Sequence, residues 1–298
     1  MILVLTGLDL SIVATAIPSL TDHFRTVSDV GWYFAAYQLT ACAFQFQFGK
    51  LFSIFNQKWV FLVSVTIFMS GSTVTILGFW LLKHIRSSCA VRGCADCTAQ
   101  FILGRAVTGL GVSGVIAGCF TLLVQILPIT KRPFYTSLFG ALETISVLVG
   151  PILGGVLTEK LSWRWCFWIS LPLGGVTLIT ITTCFPASRN NARFDSPVKE
   201  LLANLDIFGN LSLVLAVVCL FLALSWGRIK YPWSEPRVWT LLIACVVLLG
   251  AFFWDQHRKK DKALLPLRLL SQRSVASGFA FTLLCSSVLN LFEYYMPI

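Results

Sequence analysis

Four ionisable side chains, Asp9, Arg105, Glu143 and Glu293, stand inside long apolar runs. At the centre of a bilayer a charge costs about 2.5–3.5 kcal/mol on insertion scales, so each must face protein or a water-filled path. A carboxyl group withdrawn from water is more readily protonated and can load and release a proton near neutral pH. All four are therefore candidate proton-coupling or pathway residues. The alternative for each is a structural ion pair or a helix-packing hydrogen bond.

Two glycine patterns accompany them. Gly104, Gly109, Gly111, Gly114 and Gly118 recur along one segment, and the Gly114-x-x-x-Gly118 spacing allows close helix approach. Gly109-x-Gly111-x-x-Gly114 also fits the dinucleotide-binding spacing, but nothing strand-like precedes it, so that reading is rejected. The run from Ser146 through Gly150-Pro151 to Gly154-Gly155 is sharper. Pro151 removes a backbone donor, and the flanking glycines let a neighbouring helix meet the freed carbonyl. The expectation is a kinked, tightly packed helix suited to a moving part.

Other chemistries find no support. His23, His84 and His257 have no ligand or base partner at a motif spacing. Seven of the ten cysteines stand singly in apolar runs, where Cys behaves as a small hydrophobe. Cys89, Cys94 and Cys97 cluster, but Cys94-x-x-Cys97 lacks a second pair, so no metal site is expected. Asn210-Leu211-Ser212 is a glycosylation sequon placed where it should be silent. No catalytic set, cofactor or enzymatic activity is expected.

The elements that carry these residues follow from composition. Of 298 residues, 56% are hydrophobic and only 12% charged, with a mean hydropathy of +0.80. Soluble domains carry about 25% charged residues. Half of that cannot cover a globular surface in water, so a soluble enzyme or nucleic-acid module is excluded. Cutting the chain at polar clusters leaves nine apolar segments, roughly 1–20, 32–48, 59–82, 101–127, 134–157, 163–185, 207–226, 238–254 and 275–292. Their length fits membrane helices, and the lack of a period of two excludes a β-barrel. Trp32, Trp59, Trp163, Trp165, Tyr231 and Trp233 at segment ends match an interfacial belt. No cleavable signal peptide is read, because the first run begins at Met1, contains Asp9 and lacks a basic flank.

The net charge of +10 would suggest nucleic acid in a soluble chain; here it serves topology. With the amino terminus inside, cytoplasmic loops hold thirteen Lys and Arg and outside loops nine. Three of the nine lie in the odd stretch 83–92, so the balance supports a cytoplasmic amino terminus. Residues 186–206 are polar, and Ser196-Pro197 could open a short amphipathic helix. Residues 255–273 are basic and suit contact with anionic cytoplasmic lipids.

Several of these motifs occur in the order found in one family. Leu8-Asp9-Leu10-Ser11-Ile12-Val13-Ala14-Thr15-Ala16-Ile17-Pro18 is similar to a first-span signature of fungal major facilitator transporters in the fourteen-span drug:proton antiporter group. Gly49-Lys50-Leu51 through Asn56-Gln57-Lys58-Trp59 resembles that superfamily's cytoplasmic gate loop, with Ser53 where an acidic residue is usual. Gly104-Arg105-Ala106-Val107-Thr108-Gly109 resembles the fourth-span motif, whose arginine is implicated in proton transfer. Ser146 to Gly155 resembles the fifth-span antiporter motif of exporters. Trp163-Arg164-Trp165-Cys166-Phe167-Trp168-Ile169-Ser170-Leu171-Pro172-Leu173-Gly174 resembles the start of the sixth span.

The resemblance implies an all-α membrane protein of the major facilitator fold. Its parts would be a six-helix bundle at 1–185, a cytoplasmic connection at 186–206, two extra spans at 207–254, a basic loop at 255–273, and the first span of a second bundle at 274–298. On this reading the carboxy-terminal half is missing and the fragment alone should not transport. The stretch around 74–93 reads as an insertion, such as an unspliced intron. The implied function is proton-coupled export of small amphipathic compounds across the plasma membrane, drugs or mycotoxins among them. The rivals are proton-coupled uptake of a nutrient or siderophore on the same fold, and a truncated membrane protein with no transport role.

Overall fold

A chain that is apolar over most of its length must satisfy its backbone hydrogen bonds internally, and helices do this locally. In the computed structural model, the described residues are 2–24, 30–85, 93–160, 165–184, 206–227, 232–233, 235–259 and 272–295. They form α1 (Ile2–Phe24), α2 (Val30–Ile54), α3 (Gln57–Ile85), α4 (Gly93–Ile126), α5 (Arg132–Lys160), α6 (Trp165–Trp168), α7 (Ser170–Cys184), α8 (Ile207–Trp226), α9 (Pro236–Lys259) and α10 (Arg273–Tyr295), with a 3-10 turn at Ile129–Lys131 before α5. No strand occurs among them. Where their residues are described, all nine apolar segments are largely helical.

The sixth segment is split into α6 and α7. Pro172, in the first turn of α7, has no N–H to return to the carbonyl of Trp168, and the helix breaks there. The Ser170 hydroxyl bonds back to the carbonyl of Phe167 at the break. By length and composition, six helical stretches could cross a membrane: Gln57–Thr75, Thr98–Ile126, Ile129–Lys160, Trp165–Thr183, Phe208–Trp226 and Pro236–Lys259. Ile2–Val13 is a shorter apolar helix. In α2 the apolar run is diluted by Gln38, Gln45 and Gln47.

The packing is set by small residues. α4 lies against both α2 and α3, and α1 lies against α5. Along α4, Gly104, Gly111 and Gly118 repeat every seventh position; along α3, Thr75, Phe68 and Phe61 do the same in the opposite direction. A Cβ at Gly104 would lie 2.4 Å from Thr75 Oγ1, one at Gly111 2.4 Å from Phe68 N, and one at Gly118 2.3 Å from Phe61 Cδ2. A seven-residue repeat on both helices keeps one seam facing the partner, as in left-handed coiled packing. Gly109 turns the same closeness toward α2, where an added Cβ would lie 2.3 Å from the carbonyl oxygen of Tyr37.

Two apolar clusters fill the interior. One joins Leu8, Ile12 and Val13 of α1 to Tyr33, Phe101, Cys166 and Phe167. The other joins Ile2 and Leu5 to α2, α3 and α4 through Tyr37, Phe48, Phe52, Phe61, Val65, Phe68, Val112 and Val115. α8 and α9 form a hairpin, and α8 rests on α2. The side chains of α10 from Arg273 to Val288 are exposed.

Several sequence expectations fall outside the described residues. They are the helix expected after Ser196-Pro197, most of the basic loop at 255–273, residues 86–92 of the expected insertion, and the side chains of Cys94, Cys97 and Glu293.

Candidate functional site

α1 and α4 bring Asp9 and Arg105 together at the centre of the bundle. Arg105 Nη1 donates to Asp9 Oδ2 over 2.7 Å, and the two side chains are 0% and 3% exposed. Arg105 Nε also donates to the carbonyl oxygen of Tyr33 at 3.4 Å. Its guanidinium lies over the Tyr37 ring at 4.4 Å and over the Phe167 ring at 5.9 Å. Phe101 stands edge-on to both Tyr33 and Phe167, with centroids 5.0 and 5.7 Å away. The pair is thus sealed by aromatic rings. Arg105 Nη2 is buried and has no hydrogen-bond partner among the described residues.

This environment ties the two charges to each other. Separating buried opposite charges, or neutralising one, leaves the other without compensation, which is far costlier than in water.

α5 reaches this centre through α1. Ser146, Gly150 and Gly154 are its buried residues, and they oppose Gly7, Ser11 and Thr15 at matching four-residue intervals. A Cβ on Gly7 would lie 2.9 Å from Ser146 Cβ, one on Gly150 1.7 Å from Ser11 Oγ, and one on Gly154 2.1 Å from Thr15 Oγ1. Ser11 and Thr15 satisfy their hydroxyls within α1, on the carbonyls of Gly7 and Ile12. The two backbones therefore meet without a large side chain between them, the close approach that small residues at four-residue spacing allow. α5 continues helically through Pro151, which is exposed, while Gly155 has open space where a Cβ would stand.

The other named residues lie elsewhere. Glu143 is exposed on α5, one turn from Ser146, within electrostatic reach of Tyr37 but in no ion pair among the described residues. Glu293 lies in α10. In the gate-loop region, Gly49 is exposed with nothing near its Cβ position. Lys58 Nζ donates to the carbonyl oxygen of Thr182 at 2.9 Å and so caps the end of α7. Lys50 lies within electrostatic reach of Asp206 and Lys259, and burial lowers its pKa. The Ser53 hydroxyl bonds within its own helix, to the carbonyl of Lys50.

Sequence reasoning passed over Tyr37 and the Asp206 cluster. Tyr37 looks like any interfacial or core aromatic, and only its position one helical turn after Tyr33 offered a signal. Asp206 sits in a polar connection, where charge reads as topology.

A helical bundle that exposes Leu148, Ile152, Val246 and Trp254 at 67–73% while burying an arginine completely is an integral, multi-pass membrane protein. Residues 1–298 match the Major Facilitator Superfamily throughout, and the chain belongs to that superfamily. It is similar to the MFS-type transporter VdtG of Byssochlamys spectabilis, 41% identical over 99% of this chain and 50% of the relative. It is also similar to the MFS-type efflux pump MFS1 of Arthroderma benhamiae, 39% identical over 99% of this chain and 52% of the relative. To the efflux pump aflT of Aspergillus parasiticus it is 38% identical over 98% of this chain and 54% of the relative. The chain spans about half the length of these relatives.

Proposed function

We propose that this chain forms the proton-coupling half of a secondary transporter that exports small amphipathic compounds in exchange for protons, in the plasma membrane with its amino terminus cytoplasmic. The observation that carries the reading is the sealed Asp9–Arg105 pair, set on a helix that packs against the α5 glycine seam. In such carriers two halves rock about a central site. Protonation of Asp9 would release Arg105. The charge left on Arg105 would then favour a state in which water or solute reaches it. Because α1 meets the buried face of α5 through Ser146, Gly150 and Gly154, movement of α1 along that line would part few interlocked side chains. Glu143 would take part from the exposed face of α5, and Glu293 from α10. The names of the relatives, two of them efflux pumps, support export over uptake. Basic loop residues would rest on anionic lipid.

The test is flux. The chain is joined to the second half of the VdtG relative and reconstituted in vesicles with an imposed proton gradient. Dye efflux that requires the gradient and is lost in Asp9→Asn supports the reading. Gradient-driven uptake would favour a nutrient carrier, and flux indifferent to Asp9 would overturn the assignment of that residue.

A further inference from the structure

The helix pair α8–α9 is joined to the bundle by more than its connecting chain. Asp206, the residue capping the start of α8, is 4% exposed and holds three donors. Its Oδ1 accepts from Gly209 N at 2.9 Å and from Lys259 Nζ at 2.6 Å, and its Oδ2 accepts from Gln256 Nε2 at 2.7 Å. Lys259 Nζ also donates to Asp255 Oδ2 at 2.7 Å. Gly209 is required there: a Cβ would lie 2.5 Å from Asp206 Oδ2 and 2.7 Å from Gln256 Nε2. The first residue of the hairpin is thus tied to its last turn.

The same cluster faces α2. Lys50 lies within electrostatic reach of Asp206 and Lys259. Gln47 on α2 and Asn210 on α8 each bury a side-chain oxygen without a hydrogen-bond partner among the described residues. At the opposite end of α8, Phe221 meets Trp32 of α2 edge-on, with centroids 5.2 Å apart. The packing of α8 on α2, with Asp206 in electrostatic reach of Lys50 at one end and Phe221 on Trp32 at the other, makes the two helices antiparallel. A loose spacer would gain nothing by enclosing a carboxylate, whose burial is costly unless every lone pair is met. Buried polar groups of this kind fix which helices pair and in what alignment.

The geometry points to α8 and α9 being a fixed flange of the amino-terminal bundle, keyed to α2 by the Asp206–Gln256–Lys259 cluster at one end and by Trp32–Phe221 at the other, so that pair and bundle form one rigid body. This does not depend on what is transported or in which direction.

The experiment uses the whole chain in lipid nanodiscs, with a protease site inserted in the 186–205 connection. Trp32→Cys and Phe221→Cys are combined, treated with a short bifunctional thiol reagent, cut, and run on a denaturing gel without reductant. The two fragments should stay joined in the double variant and separate in each single-cysteine control, which accounts for the native cysteines. Adding Asp206→Asn, or separately Lys259→Gln, should slow joining several-fold while helical content is kept. If Asp206→Asn fails to fold, Lys259→Gln and Gln256→Ala carry the test. Joining no faster than in the controls would overturn the inference, as would rates unchanged by every one of these cluster variants.

Discussion

Arg105 on α4 and Asp9 on α1, ninety-six positions apart in sequence, meet at 2.7 Å in a site closed to solvent. Losing one partner strands the other. Arg105→Gln and Asp9→Asn should each lower stability, with about 3–5 kcal/mol as the scale for breaking a buried pair. Asp9→Asn should cost more, because a stranded carboxylate can take up a proton whereas a guanidinium stays charged. The double variant should cost less than the sum. Thermal unfolding of the purified protein in detergent, with all four members of the cycle, measures this.

The α1–α5 seam predicts opposite effects for two nearby glycines. Gly150→Ala places a methyl 1.7 Å from Ser11 Oγ and should destabilise by about 1–3 kcal/mol, the usual cost of overpacking. Ser11→Gly in the same chain should recover part of the loss. Gly155→Ala meets nothing within 4 Å and should be neutral or stabilising by up to about 1 kcal/mol through helix propensity. Melting temperatures decide it.

On the α3–α4 seam the same substitution should differ by what it strikes. At Gly111 the new methyl meets the backbone at Phe68 N, which cannot step aside, whereas at Gly118 it meets the ring of Phe61. Gly111→Ala should therefore be the more damaging. The ratio of monodisperse to aggregated protein on size exclusion after graded heating reports the order.

Asp206 predicts a pH window. Burial pushes its pKa up, but the hydrogen bonds from Lys259, Gln256 and Gly209 outweigh that and hold it below the ordinary 3.8. A carboxyl whose folded pKa is depressed contributes stability fully above its unfolded pKa and loses it as pH falls through the folded one. The gap in melting temperature between wild type and Asp206→Asn should therefore be constant from pH 8 to about 4 and should close below that. A gap that widens on acidification would contradict the arrangement.

Much of the scaffold was legible in sequence, because an apolar run has one structural outcome when its backbone must satisfy itself. The expected segment at 207–226 coincides with α8. Asp9 and Arg105 stood out by type, but nothing in a linear sequence joins position 9 to position 105; the contact depends on how α1 and α4 cross. The glycines of α4 were legible as a packing surface, yet the one spacing singled out for close approach, Gly114-x-x-x-Gly118, is only part of it. Gly114 meets Ser64 and Gly118 meets Phe61, both on α3, and the longer repeat through Gly104 and Gly111 does the aligning. That repeat shows its meaning only beside Thr75, Phe68 and Phe61 on the partner. Asp206 was counted with the loop charges, since the difference between a solvated aspartate and a buried one lies in Gln256 and Lys259, fifty and more residues away.

The two seams also differ in how many alignments they tolerate. On the α1–α5 side, sliding one helix by four residues, about 6 Å, would set Gly7 against Gly150 and Ser11 against Gly154. Gly7 and Ser11 would again face glycines, while Thr15 would come opposite Thr158 and Leu3 opposite Ser146. On the α3–α4 side the same step would drive the Phe68 ring from Gly111 toward Val107 or Val115, where there is no gap to receive it. The glycine-facing part of the first boundary is the more permissive of the two, and Asp9 rides on the helix that forms it.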